Sequence, residues 1–333
     1  MNIQSEGRGW DGLRILMMLF CLLSLAAMIP RVSFSQGKQA VPAHPQLVWV
    51  DTDIGDDIDD VFALGLIVRS PELKVLGVST AFGDTETRAR LTDRFMGAIG
   101  ASDIPVTAGV HTETNNLMTQ KAYALQSPAR THADGVQAML EAIQKHPGEV
   151  TLIAIGPLFN VGAAIERDPR TFHQLKRVVM MGGSVYRGYG AATAAPMPEW
   201  NILQDPKGAA KLFASGVPIF MMPLDSTQVQ LEEVARKALF AGGTPLTEQL
   251  KQLYGEWSAT APNHPQTPTL FDPVAAAYTF RPDLCPMKPM RIEVDTKGMT
   301  KPVEGKPNAE VCLKSDEKVF LGLLTGRLEG PSK

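Results

Sequence analysis

Short apolar runs alternate along this chain with stretches of helical spacing. Residues 47–50, 73–80, 150–155, 177–181 and 217–222 are rich in Val, Ile, Leu and Met, with little polar alternation. Residues 61–68 form an apolar stretch of helical length, 85–99 read as a helix, and 158–166 have helical spacing. Strands without polar alternation are covered on both faces, so the pattern predicts a mostly parallel sheet with helices on both sides. Two late runs, 290–294 and 310–313, read as further strands, and a helix is expected after Ser315. The expected fold class is α/β: one domain over residues 47–330, with an open, mostly parallel sheet and no internal linker. In such sheets the working residues lie in loops at the carboxyl ends of strands. An acidic cluster at 51–60, Gly156-Pro157, Gly182-Gly183 and Asp225 all fall at those positions.

The amino-terminal segment follows a different pattern. Arg8 and Arg14 precede an almost wholly apolar run over 15–29, Pro30 closes it, and Ser33 and Ser35 offer small residues before Gln36. This is the layout of a secretory signal peptide, assigned here to residues 1–35, with 36–46 as a linker. The competing reading is a membrane anchor, but a spanning helix needs about 20 apolar residues and this run is shorter. Export to the periplasm or the exterior is therefore expected, with no stable membrane insertion once the signal is cleaved. Cys285 and Cys312 lie in the expected mature chain, and an oxidising compartment permits them to pair.

The 333 residues are 44% hydrophobic and 20% charged, values that permit a large core, and the formal charge of -3 comes without a basic cluster. Nucleic acid is excluded as a partner, since phosphate neutralisation requires clustered Lys and Arg.

Asp51-Thr52-Asp53-Ile54-Gly55-Asp56-Asp57-Ile58-Asp59-Asp60 places six carboxylates in ten residues directly after a strand. A solvated turn with a helix cap accounts for one or two of them. Six repel one another unless a cation joins them, and all-oxygen donors suit calcium or magnesium. The spacing is not that of an EF-hand. Asp-x-Asp after a strand also fits a phosphatase nucleophile loop, although Ile54-Gly55-Asp56 replaces the Gly-Thr usual there.

The segment DTDIGDDIDDVFAL, residues 51–64, resembles the metal-binding signature of the inosine-uridine nucleoside hydrolases. Further matches follow in order. These are IAIGPLFN at 153–160, VMMGG at 179–183, Glu199-Trp200-Asn201 with Asp205-Pro206, Leu224-Asp225-Ser226-Thr227, and Phe271-Asp272-Pro273. The resemblance spans about residues 47–327. It implies a Rossmann-like sheet, one Ca2+ ion that binds the ribose hydroxyls and a water, and assembly as dimers or tetramers. By resemblance, Asp53, Asp60, Asp272 and the Ile155 carbonyl hold calcium. The loop is two residues longer than the family's, which makes Asp57 a rival ligand. Asp53, Asp59 and Asp60 form the catalytic set, with Asp59, Glu199 and Asn201 on the sugar. The implied reaction is hydrolysis of a ribonucleoside or related N-riboside to ribose and free base. The cleavage passes through an oxocarbenium-like state that carboxylates stabilise. A calcium-dependent nucleoside or sugar binder without turnover is the alternative from another class.

Three departures bear on substrate. Asp84 stands where the family has Asn, with its hydroxyl contacts altered because a carboxylate donates no hydrogen bond. Phe271 stands where many members have a His that protonates the leaving base. The Asn that the family places before Glu-x-Asn has no counterpart at 189–198. His132 is the replacement acid closest to a family His. His146 and His264 precede proline, and His111 sits in a loop that could flank the pocket. Tyr186, Arg187 and Tyr189 are further candidates for contact with the base.

Overall fold

Strand β1 (Gln46–Thr52) lies inside the sheet, third from one edge, parallel to β2 (Leu73–Thr80) on one side and to β4 (Thr151–Ala154) on the other. This computed structural model describes residues 44–260 and 266–330; the expected signal peptide and linker residues 36–43 lie outside them. Beyond β2 lies β3 (Val106–Ala108). Beyond β4 come β5 (Arg177–Met181), β6 (Ile219–Met222), β9 (Ala309–Cys312), β7 (Met287–Val294) and β8 (Thr300–Val303). The nine strands run in the order β3-β2-β1-β4-β5-β6-β9-β7-β8. All pairings from β3 to β9 are parallel, and β7 and β8 add an antiparallel margin.

Alternate strand residues feed two separate cores. Val48, Val50, Ile153, Val179 and Met181 face one side, where the helices Asp59–Arg69, Thr85–Ala98, Phe271–Phe280 and Glu317–Glu329 pack. Trp49, Leu152, Ala154, Val178 and Met180 face the other, against the helices Gly135–Lys145, Phe159–Arg167 and Pro206–Ala214. That two-residue alternation follows from strand geometry, and burial on both faces explains why the sequence runs lack polar positions. The helix Asp59–Arg69 is buried along almost its whole length, so it reads as a continuous apolar run rather than as an amphipathic one. Cutting Leu64 in it to alanine is expected to cost about 2–5 kcal/mol.

The chain leaves β1 towards β3 in one direction and returns from β4 towards β6 in the other. β1 and β4 therefore flank the point where strand order reverses, which opens a crevice at their carboxyl ends. Cys285 and Cys312 form a disulfide, 5.8 Å between Cα atoms, that ties the turn after Pro282–Leu284 to β9. Among the described residues, no helix is long and apolar enough to cross a membrane.

Candidate active site

The acidic loop separates its carboxylates by task. Asp51 still belongs to β1 and points away from the crevice, where it accepts from Ser79 Oγ and from Asn160 Nδ2 at 2.7 Å. Burial raises its pKa to about 6, against the lowering effect of those two bonds. Asn160 also caps Val110 N and Thr80 O, so this group fastens β1, β2 and the helix Phe159–Arg167 together. Asp56 is bound 2.9 Å from the buried Arg88. The same guanidinium holds the carbonyls of Asp53, Ile54 and Phe82. Arg88 thereby shapes the loop with one fixed cation, a role that no local motif around it announces.

Asp59 and Asp60 open the helix Asp59–Arg69, and Asp272 is the second residue of the helix Phe271–Phe280. The two helix starts are tied by Asp272 N, which donates to Asp59 Oδ2 at 3.1 Å. One carboxylate oxygen from each of Asp59, Asp60 and Asp272 lies within 4.8 Å of the others, and all three residues are buried. Thr52 Oγ1 donates to Asp60 Oδ1. Asp53 stands outside this close trio but lines the same cavity, and after burial its charge is the strongest influence on Asp60. Burial and mutual repulsion raise the pKa of Asp59, Asp60 and Asp272 well above the carboxylate range. For Asp53, burial outweighs the pull of Arg88 and raises the value to about 7. Four carboxylates in one dry place, with Arg88 engaged elsewhere, are stable as anions only with a cation among them. The oxygen-only donor set fits a hard divalent ion. Asp57, the expected rival, is half-buried at the rim and outside the trio, with Oδ1 accepting from Ile58 N at 2.7 Å.

Glycine allows the loops to close on this cluster. Gly55 has φ +124°, in the left-handed region. At Gly156, after β4, a Cβ would come within 2.8 Å of Asp53 N, so only glycine lets the two strand ends meet. Ile155 beside it lines the cavity. Phe82, at the end of β2, is a non-glycine residue with φ +65°; its ring packs edge-on to Trp200 at 5.7 Å.

The cavity above the carboxylates measures about 380 Å³. Glu199 caps the helix Trp200–Gln204 and accepts from Asn201 N at 2.9 Å, Ile202 N at 3.3 Å and Gly183 N at 2.8 Å. Burial raises its pKa to about 7 despite these donors. Asn201 is anchored through Nδ2 to Met181 O at 3.1 Å. Tyr189, Trp200, Trp257 and Phe271 form aromatic walls, with Tyr189 and Phe271 edge-to-face at 5.9 Å. Trp257 comes from the helix Pro245–Thr260, which the sequence reading missed; its buried spacing at Leu246, Leu250, Leu253 and Trp257 was the available signal.

The structure gathers Asp53, Asp57, Asp59, Asp60, Ile155, Glu199, Asn201, Phe271 and Asp272 around this one cavity. Asp84 and His132, expected to contact substrate, are not among its walls. Asp84 is exposed and caps the helix Thr85–Ala98, accepting from Thr87 N at 3.1 Å and Thr87 Oγ1 at 2.6 Å. His132 is held between Glu86 at 2.7 Å and Asp93 at 2.8 Å. His111 lines a separate cavity beside Asp84, and Tyr186 is exposed. Asp225 accepts from Val185 N and Tyr186 N at 2.9 and 2.8 Å, and so braces the loop that carries Tyr189. A wider groove of about 860 Å³, bordered by Arg291, Glu293 and Lys306, carries none of the expected site residues.

Comparison with known proteins agrees with this geometry. The profile of the inosine-uridine preferring nucleoside hydrolases matches residues 48–322. The pyrimidine-specific ribonucleoside hydrolase RihA of Citrobacter koseri is 29% identical over 322 residues, covering 84% of this chain and 97% of the relative. A plant nucleoside hydrolase superposes with a TM-score of 0.74 at 25% identity, covering 86% of this chain and all of that one. A purine-preferring ribonucleoside hydrolase from Gardnerella vaginalis shares the fold, with a TM-score of 0.72 at 23% identity over 86% of this chain and 98% of that one. The family is metal-dependent, and the buried carboxylates of Asp59, Asp60 and Asp272 are close enough together to hold a metal ion. The chain belongs to the inosine-uridine preferring nucleoside hydrolase family and is an enzyme that hydrolyses the N-glycosidic bond of ribonucleosides.

Proposed function

We propose that the metal is calcium, held by Asp53, Asp60, Asp272 and the Ile155 carbonyl, and that the enzyme acts outside the cytoplasm. The observation that carries this reading is the buried trio of Asp59, Asp60 and Asp272 beside Asp53, an oxygen-only set with which no cationic side chain forms an ion pair among the described residues. Calcium, with its preference for six to eight oxygen ligands and its tolerance of irregular geometry, suits a site built from strand and helix ends. A bound calcium ion supplies the charge that polarises the ribose diol and the attacking water.

The protein's own groups do the rest. Asp59 stands at the cavity floor, where a carboxylate accepts from a ribose hydroxyl or takes the proton from water. Glu199, fixed by three backbone N–H groups, and Asn201, fixed on Met181 O, orient the sugar. The surrounding carboxylates stabilise the positive charge that spreads over the ring as the glycosidic bond breaks. The Cys285–Cys312 disulfide supports export, because such bonds persist in oxidising compartments. Assembly as a homo-oligomer, dimer or tetramer, completes the proposal, with light scattering as its check.

The test is sugar release from purine and pyrimidine ribonucleosides by chelator-stripped protein, with calcium or magnesium restored, beside an Asp53→Ala control. Release restored by calcium and lost in the variant is expected. Equal activity with magnesium alone would remove the calcium assignment. Tight nucleoside binding with no release from any ribonucleoside would move the protein to a binder.

A further inference from the structure

Among the described residues, the walls of the active cavity offer no histidine, lysine or arginine, and so no cationic acid, to protonate a departing base. Phe271 opens the helix that carries Asp272 and presents only carbon. The Tyr189 hydroxyl receives Trp200 N at 3.1 Å and lies 3.5 Å from Glu199 Oε1, and burial pushes its pKa up. Glu199 is occupied as an acceptor of three N–H groups. Asp56 is engaged by Arg88, and Asp57 accepts from Ile58 N. What the cavity offers a base instead is four aromatic residues and an excess of negative charge. Aromatic faces and carboxylates both favour a cation.

We infer that the preferred substrate is an N-riboside whose base already carries its positive charge at the glycosidic nitrogen, of the pyridinium type. The inference rests on the hydrolase reading above and narrows its substrate. The reaction balances without an acid. The electron pair of the C1′–N bond returns to the ring nitrogen and cancels its charge. Water oxygen bonds C1′, and one proton leaves to a carboxylate and then to solvent. A neutral nucleoside leaves its base as an anion unless a proton is supplied, and a positioned acid is ordinarily responsible for about 10²–10⁴-fold in rate. The cationic substrate escapes that loss and gains attraction to the walls.

The experiment compares β-D-ribofuranosyl pyridinium, uridine, inosine and 4-nitrophenyl β-D-ribofuranoside on the calcium-loaded enzyme. The nitrophenyl compound is uncharged, but its leaving group needs no proton, so it separates charge recognition from leaving ability. Expected are a kcat/KM for the pyridinium riboside at least about 100-fold above uridine and inosine, and a KM at least about tenfold below that of the nitrophenyl riboside. Phe271→His is expected to raise uridine or inosine turnover tenfold or more. Wild-type cleavage of uridine or inosine within tenfold of the pyridinium riboside would overturn the inference while leaving the hydrolase intact. So would a uridine rate that falls in His264→Ala, because an acid would then exist. No sugar from any of the four compounds would instead be a failure of the hydrolase reading itself.

Discussion

Two groups of acids on this molecule differ in how their charge is met. At the ends of β1 and of the helix starts, Asp53, Asp59, Asp60 and Asp272 crowd together with raised pKa values. Around the helix Thr85–Ala98, Asp84, Glu86 and Asp93 each have a partner: Thr87, His132 and Arg130. Asp93 is a clear contrast. Burial would raise its pKa, but hydrogen bonds from Arg130 and His132 hold it below the usual range. Charge that the fold satisfies is structural. Charge that the fold leaves unsatisfied, at some cost in stability, is where a ligand or metal is expected.

The largest effect expected from this contrast is at the unsatisfied cluster. Asp272→Asn removes one charge and one oxygen donor, and should lower kcat/KM by about 10²–10³-fold, the scale for losing one preorganised stabilising group. It should also abolish most of the rise in melting temperature on adding calcium. That rise reflects about 2.7 kcal/mol for the wild type when free ion is 100 times its Kd. Unchanged calcium stabilisation in the variant would break the contrast at its strongest point.

Glu199 gives the next effect, through pH. Its pKa is raised to about 7 from an ordinary 4.5, with burial as the main cause. The folded state therefore binds this proton more tightly than the unfolded chain. The stability associated with the neutral form is complete below about pH 4.5, falls as pH rises towards 7, and is gone above it. Relative to Glu199→Gln, which does not titrate, the wild type should lose on the order of 3 kcal/mol between pH 4.5 and 8. Denaturant unfolding of both proteins at a series of pH values measures the difference. Parallel curves would mean that the three backbone donors keep Glu199 ionised throughout.

How much of this contrast could be read in the sequence depends on distance along the chain. The strand runs at 73–80 and 177–181 coincide with β2 and β5, because short runs rich in Val, Leu and Met have few other uses. Six carboxylates after a strand marked the loop that lines the cavity, since local repulsion is visible in local sequence. Arg88 was not legible: it lies 35 residues from Asp53, and only the fold brings its guanidinium to that loop's carbonyls. The helix of Trp257 had a local signal in its spacing, but only the fold brings that ring to the cavity, and β3 and β8, of three and four residues, are too short to show a period. His132 stood close to a family histidine in sequence, yet its ring nitrogens are used by Glu86 and Asp93. Sequence position placed it near the site, and hydrogen bonding assigned it to the scaffold.

His132→Ala should accordingly cost about 2 kcal/mol, because it removes a buried ring and leaves Glu86 and Asp93 without a shared partner. Its kcat/KM should match the wild type at a temperature where both are folded. A loss of activity larger than the loss of folded protein would bring His132 back as a catalytic group and would erase the distinction between the two acidic regions.

Asp84 allows the finest test, because it sits at the edge of the satisfied region while occupying a position the family gives to asparagine. Its side chain caps Thr87 N, so Asp84→Ala should cost about 1 kcal/mol. Asp84→Asn retains an acceptor for the same N–H and should cost less. Neither substitution reaches the cavity walls, so KM for a ribonucleoside should stay within about twofold in both. If instead Asp84→Ala raises KM tenfold while its stability falls by only the capping energy, then the loop 83–84 contacts substrate in the complex. Satisfied charge would in that case not suffice to mark a residue as structural. A rise in KM shared by the alanine variant and reversed by asparagine would locate the contact in the acceptor oxygen. A rise common to both would locate it in the negative charge.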